Sequence, residues 1–143
     1  MRSLARLLRL SFLPSSVDLA LLALRVWLGF SLLYLHGWGK VQTFSERAHR
    51  FADPFGIGSP ASLSLSIFAE VVCSTLLALG LFTRPAALVC AINMGVALFH
   101  AHGGRLSGPA NGELAFIYLA GFVALFLAGG GRFSVDAQSG GRR

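Results

Sequence analysis

The sequence predicts an all-α integral membrane protein, a bundle of four transmembrane helices that forms a single domain over residues 1–143. Only 13% of the residues are charged and 55% are hydrophobic, whereas a soluble domain carries about 25% charged residues. The apolar residues also form four blocks with the length that a bilayer requires. The net charge of +6 lies between these blocks. Because no basic face alternates with exposed aromatic side chains, nucleic-acid binding is excluded.

The N-terminal arm is expected to form a short helix on the membrane surface. Within residues 2–13, Arg2, Arg6 and Arg9 share one helical face, and Pro14 follows. Such a basic amphipathic segment is typical of contact with an anionic membrane surface. A signal peptide is the alternative, but the apolar stretch is short and no small-residue cleavage pattern follows it. The arm is therefore expected to remain in the mature protein.

Four spans are predicted at about 17–36, 61–82, 85–101 and 113–128. The first ends at the motif His36-Gly37-Trp38-Gly39-Lys40. Proline suits the first turn of a helix, so Pro85 is expected to begin the third span. The run of three glycines from Gly129 ends the fourth. In the first outer loop, apolar residues recur at steps of four and three, which predicts an amphipathic helix there. These residues are Val41, Phe44, Ala48, Phe51 and Phe55.

The distribution of basic residues predicts the orientation of the chain. Seven Lys and Arg residues lie on the side of the two termini, against four on the other side. The positive-inside rule therefore places both termini in the cytoplasm. The Arg-rich composition hints at a bacterial source, so the expected location is a bacterial inner membrane. Cys73 and Cys90 lie in apolar runs without metal-ligand spacing, so they are expected to be buried packing residues. No metal site is predicted.

Polar residues share one face of each of the first two spans. At 100° per residue, Asp18, Arg25, His36 and Lys40 lie together on the first. Glu70 lies on the second with three serines. A charge at mid-bilayer costs about 2.5 to 3.5 kcal/mol, so Arg25 should form a structural ion pair. Asp18 and Glu70 are competing partners. If Arg25 pairs with Asp18, Glu70 is left free to hold an exchangeable proton.

Further ionisable groups gather at the outer end of the predicted bundle. His36 and Lys40 leave the first span there, His100 ends the third, and Glu113 begins the fourth. Glu70 lies about halfway down toward them. Groups of this kind suit a polar headgroup, a proton relay or a metal ion, and we expect them to surround a polar cavity.

The order of these motifs resembles that of the DoxX family of small bacterial membrane proteins. The resemblance extends from about Asp18 to Asp136, and the family's fold is four transmembrane helices. The family takes its name from a membrane subunit associated with quinone-linked oxidation of sulfur compounds. The motifs that carry the resemblance are Arg25, His36-Gly37-Trp38-Gly39-Lys40, Glu70, Gly80-Leu81-Phe82-Thr83-Arg84, His100, Glu113 and the segment Gly131 to Asp136.

The resemblance implies a membrane subunit of a quinone-linked oxidoreductase system. The implied quinone contacts are His36, Trp38, Lys40 and His100. The residues with an implied catalytic role in proton movement are Glu70, His36, His100 and Glu113. No haem, flavin or iron–sulfur ligand set is visible in the sequence, so electrons would come from a protein partner that carries redox centres.

Two other functions remain open. The first is a non-catalytic anchor or scaffold that holds soluble redox enzymes at the membrane. The second is a carrier of a small solute or metal ion that uses the same polar cavity. The sequence leaves open whether the chain is itself an enzyme, because the three functions differ on this point. All three are compatible with a homo-oligomer in the lipid bilayer.

Overall fold

The computed structural model describes residues 16–139, and they form helices and loops without any strand. The all-α prediction is thereby confirmed. The surface helix predicted for residues 2–13 lies outside the described residues. The helices are α1 (Val17–Gln42), α2 (Phe44–Arg47), α3 (Ser59–Leu79), α4 (Thr83–Ala101), α5 (Glu113–Ala128) and α6 (Val135–Ser139).

Three helices, α1, α3 and α4, are long enough and apolar enough to cross a membrane. The chain is therefore a multi-pass membrane protein by length and composition. The fourth apolar helix, α5, has 16 residues. It packs along α4 and also contacts α1. The core between these helices is built mainly from small and aliphatic side chains, together with the fully buried ring of Phe122.

Helices α3 and α4 each begin two residues before the predicted position, so Pro85 lies in the first turn of α4 and does not begin it. Two other boundaries differ more. The first span was predicted to end near His36, but α1 continues to Gln42. Glycine weakens an isolated helix, and here the packing of Gly37 against α3 keeps the chain helical. The amphipathic loop helix was predicted to reach Phe55, but only Phe44–Arg47 is helical. Beyond it, the Asp53 carboxylate accepts hydrogen bonds from backbone N–H groups, and this local turn outweighs the helical periodicity.

Each long helix contains one π-helical turn. The turns are Leu33–Gly37 in α1, Phe68–Cys73 in α3 and Ala97–Ala101 in α4. A π turn inserts an extra residue into a helix, and such turns occur frequently at functional sites. The three turns contain His36, Glu70 and His100, respectively. Three of the polar side chains predicted from the sequence are thus presented by irregular helical turns.

Helices α1 and α3 meet at two glycines. A Cβ atom at Gly29 would lie 2.6 Å from the Ser74 carbonyl oxygen, and one at Gly37 would lie 2.7 Å from the Glu70 carbonyl oxygen. Both distances are too short for a side chain. The backbones of α1 and α3 therefore touch, an arrangement that small residues permit between helices in membranes.

Arg25 holds together the end of the bundle at which α3 ends and α4 begins. Its side chain is buried, with 2% of the residue exposed. The guanidinium donates from Nη1 to the Ala78 carbonyl (2.5 Å) and from Nη2 to the Phe133 carbonyl (2.7 Å). Ala78 lies at the end of α3, where helix carbonyls lack partners within the helix and carry partial negative charge. Backbone oxygens thus take the place of the acid that was expected.

The expected ion pair of Arg25 with Asp18 or Glu70 is not formed within residues 16–139. Asp18 instead accepts a hydrogen bond from the Arg132 backbone N–H at 2.9 Å. Glu70 pairs with a lysine. The segment after α5 passes close to Arg25 and Asp18 and supplies one backbone partner to each. Because this segment is distant in sequence from both residues, the polar faces of the first two spans could not predict these contacts.

Asp136 completes this end by capping α4. Its carboxylate accepts hydrogen bonds from the backbone N–H groups of Phe82 and Thr83, both at 2.8 Å, and from the Thr83 hydroxyl at 2.7 Å. Burial opposes ionisation of Asp136, but the hydrogen bonds from Thr83 and Phe82 and the attraction of Arg25 outweigh it and lower the pKa of this carboxyl. The segment after α5 is thereby tied to α1, to the start of α4 and, through the Gly80 carbonyl, to the turn that joins α3 and α4.

The contact between α1 and α3 predicts opposite effects for two neighbouring glycines. Gly37→Ala places a methyl group against the Glu70 backbone and should lower the free energy of unfolding by about 1–3 kcal/mol. Gly39→Ala is the matched control, because a Cβ there meets no atom within 4 Å. It should be neutral or stabilising by up to about 1 kcal/mol. Thermal unfolding of both variants in detergent measures the difference, and equal melting temperatures would contradict the close contact.

Candidate functional site

A cavity of about 690 Å³ lies between the helices, at the end of the bundle away from Arg25. Most of its lining is apolar. Phe51 and Phe55, from the loop before α3, line one side of it. Polar side chains from α1, α3, α4, α5 and the connecting loops also line it: His36, Lys40, Ser62, Ser66, Glu70, Asn93, His100, His102, Asn111 and Tyr118.

The centre of the polar wall is an ion pair between α1 and α3. Lys40 Nζ lies 2.5 Å from Glu70 Oε1 and also donates to the Ser66 hydroxyl at 3.0 Å. The Asn93 amide donates to the same Glu70 oxygen at 3.1 Å, and the Ser66 hydroxyl does so at 3.3 Å. Glu70 is only 3% exposed. One carboxylate oxygen thus connects α1, α3 and α4.

The local structure explains why Lys40 reaches Glu70. Because α1 stays helical to Gln42, Lys40 lies one turn beyond His36, on the same side of the helix. Helical side chains lean toward the N-terminus of their helix, which directs the lysine back toward the middle of the bundle. The ammonium group also lies 5.7 Å from the centroid of the Phe51 ring, within the range of a cation–π contact. Lys40, and not Arg25, is therefore the cation that neutralises Glu70.

The aromatic side of the cavity involves His36 and Tyr118. Their rings meet edge to face, with centroids 5.8 Å apart. The Tyr118 hydroxyl donates to the Ser31 hydroxyl at 2.8 Å, and Ser31 donates to the Leu28 carbonyl at 3.3 Å. This chain of hydrogen bonds holds the Tyr118 ring against α1, and the ring in turn fixes one side of the imidazole of His36.

Four of the predicted site residues line the same cavity, namely His36, Lys40, Glu70 and His100. Trp38 and Glu113 are not among its lining residues. Trp38 follows His36 by two positions, about 200° around the helix, and its side chain is exposed. Glu113 begins α5, where its backbone N–H is capped by the Asn111 side chain at 2.8 Å. Neither side chain therefore forms part of the cavity wall.

Three polar residues that complete the site were not predicted as site residues. Asn93 precedes His100 by two helical turns, and Ser66 precedes Glu70 by one turn, so both share a helical face with a predicted residue. That spacing was the available signal. Tyr118 lies in an apolar helix, where an aromatic residue is normally a core residue. Its hydrogen bond to Ser31 depends on the packing of α5 against α1.

The cysteines behave as packing residues, as predicted. Cys73 and Cys90 are free thiols in the core, and Cys90 Sγ donates weakly to the Ala69 carbonyl at 3.4 Å. Within residues 16–139, no group of three or more His, Cys, Asp or Glu side chains is placed to hold a metal ion.

Comparisons with known proteins give one family and one relative. The DoxX family matches residues 20–103, a segment that contains α3 and α4 and most of α1. Over 85 residues, the chain is 40% identical to an uncharacterized protein of Haemophilus influenzae. The match covers 56% of this chain and 63% of that protein, so the chain spans less than two thirds of its relative's length. No solved structure matches the chain.

The ion pair predicts a characteristic pattern of stability. Lys40→Met leaves the buried Glu70 carboxylate without its cation and should lower the free energy of unfolding by about 3 kcal/mol. Glu70→Gln should cost less, because the Lys40 side chain is 19% exposed and can turn toward water. In the double variant the losses should fall short of their sum by at least about 1 kcal/mol. Unfolding of all three variants in mixed micelles tests this pattern, and additive losses would contradict a direct interaction.

Proposed function

Because the chain belongs to the DoxX family of small membrane proteins, we propose that it is the quinone-binding membrane subunit of an oxidoreductase system. The observation that carries this proposal is the combination of an apolar cavity with hydrogen-bond donors from several helices on one wall. A quinone has the matching structure, an apolar ring and tail with carbonyl oxygens that accept hydrogen bonds. When bound, a quinone supplies the capacity to accept electrons and protons.

The donors on the cavity wall have N–H groups to spare. An ammonium group has three N–H bonds, and Lys40 donates one to the Ser66 hydroxyl and one to the Glu70 carboxylate. The Asn93 amide has two N–H bonds and donates one to Glu70. The remaining N–H of each side chain is available for a quinone oxygen. The imidazoles of His36 and His100 line the same cavity and add two further groups that can donate a proton.

Glu70 has two roles in this proposal. Its Oε1 atom accepts hydrogen bonds from both Lys40 and Asn93, which orients these donors. The carboxyl also lines the cavity and is the acid that we propose to exchange protons during turnover. Electrons would come from a partner protein with redox centres, because the site itself consists of protonatable groups and amides.

The cavity has the size and composition of a site for a small organic molecule. Its volume of about 690 Å³ lies within the usual range of about 300 to 1,000 Å³ for such sites. The apolar lining suits an apolar ring and tail, which are poorly soluble in water. The polar groups are few and lie together, which fixes one end of the ligand and leaves the other in apolar surroundings.

We also propose a membrane arrangement for the bundle. Helix α5 would form a fourth span, with both termini on the cytoplasmic side of a bacterial inner membrane and the cavity near the outer surface. The excess of Lys and Arg on the side of the termini supports this orientation. Single cysteines at Gln42 and Gly141, in a background without Cys73 and Cys90, should differ in labelling by an impermeant thiol reagent on intact cells. Labelling at position 141 alone would reverse the orientation.

Retention of quinone by the purified protein tests the function. The wild-type protein, extracted gently from native membranes, should carry about one quinone per chain by solvent extraction and chromatography. Ala97→Phe fills part of the cavity and should lower retention by at least about tenfold. Leu88→Phe is the matched control, because Leu88 lies on the same helix but does not line the cavity.

Two results would contradict the proposal. Absence of quinone from the wild-type protein in several detergents and in lipid nanodiscs would reject the function and favour a scaffold. Equal retention by the Ala97→Phe and Leu88→Phe proteins would show that the quinone binds outside this cavity.

A further inference from the structure

Helices α3 and α4 separate from each other as they approach the cavity. A tight turn around Gly80 and Phe82 joins them, and beside it they pack together as far as the π turn Phe68–Cys73. The earlier part of α3, Ser59–Ile67, makes few contacts with α4. The two helices therefore form a wedge that is closed near the turn and open beside the cavity.

The open part of this wedge connects the cavity with the side of the bundle that faces lipid. Leu65 on α3 and Ile92 on α4 both line the cavity, yet each is 56% exposed. A side chain in a closed cavity would be largely buried, so the exposure of Leu65 and Ile92 indicates that the cavity is open between α3 and α4. Phe68 and Val89 line the cavity beside them. We call Leu65, Phe68, Val89 and Ile92 the lateral portal.

The lateral portal differs chemically from the other openings of the cavity. Its four side chains are all apolar, and it lies on the sides of two membrane-spanning helices, where lipid tails are the solvent. At the loop end, by contrast, the exposed lining residues include His100 and Asn111. Asn93 and Glu70 line the same cavity as the portal residues, and the Asn93 amide donates to Glu70. An apolar entrance thus leads to a polar wall.

We propose that the lateral portal admits a long-tailed amphiphile from within the bilayer, with its polar head at Asn93 and Lys40 and its tail between α3 and α4. This inference rests on the proposed quinone function and names the class of quinone, one with a long hydrocarbon tail. A small water-soluble solute has no reason to enter here, because lipid and apolar side chains surround the portal. Such a solute would use the loop end.

Photolabelling of the full-length protein in lipid nanodiscs tests this route. The probe is a benzoquinone whose decyl tail carries a diazirine at its far end, and decylubiquinone is the competitor. After irradiation, peptide mass spectrometry should find label on the lateral portal, and excess competitor should reduce that label by at least about tenfold. Competed label on the loop residues 51–55 or 103–112 would overturn the portal while leaving the quinone site in place.

Bulky substitutions give an independent measure. Ile92→Trp and Leu65→Trp should each lower the competed label at least about fivefold. Their controls are Leu88→Trp on α4 and Val72→Trp on α3, which are exposed residues that do not line the cavity. These control proteins should label as the wild type does. Equal labelling in all four variants would overturn the portal. Label that the competitor does not reduce at any position would instead reject the quinone function itself.

Discussion

The ion pair between Lys40 and Glu70 is the interaction on which the cavity end of this protein depends. Either charge alone would cost several kcal/mol in the apolar interior of a membrane bundle. Paired, and joined by Ser66 and Asn93, they form a polar wall shared by α1, α3 and α4. The pair exists because Gly29 and Gly37 bring α1 into backbone contact with α3. The glycines, the helical continuation to Gln42 and the ion pair are therefore one structural arrangement.

The two ends of the bundle are built in different ways. At the Arg25 end, the chain closes on itself through backbone hydrogen bonds, with Arg25 reaching the segment after α5 and Asp136 capping α4. At the other end, each long helix contains a π turn and the side chains surround open space. Functional regions are generally drawn from the less stable parts of a fold. A fastened end can hold the helices in register while the cavity end accommodates a ligand.

Much of this architecture could be predicted from the sequence. Hydrophobic block lengths predicted the helical class and the approximate ranges of the long helices. Helical periodicity predicted that His36, Lys40, Glu70 and His100 lie in one region, and they line one cavity. The partner of Arg25 could not be predicted, because backbone carbonyls such as those of Ala78 and Phe133 leave no signal in the sequence.

The Lys40–Glu70 pair was missed for a different reason. Two glycines beside Trp38 are typical of a helix end, and a lysine at a helix end normally extends toward the membrane surface. Only the packing of Gly37 on α3 shows that the helix continues and that Lys40 points inward. The same helical continuation places Trp38 outside the cavity. A sequence pattern of this kind constrains faces well, but it does not reveal which helices touch.

The infrared difference spectrum of a bound quinone with isotope-labelled carbonyl groups tests the central claim most directly. If Lys40 and Asn93 donate to a quinone oxygen, the carbonyl stretch in the wild-type protein should lie at lower frequency than in lipid alone, because hydrogen bonding weakens the carbonyl bond. Asn93→Leu should lose part of that shift while keeping the quinone bound. A carbonyl stretch identical to that of the free quinone in lipid would contradict a ligand held by this polar wall.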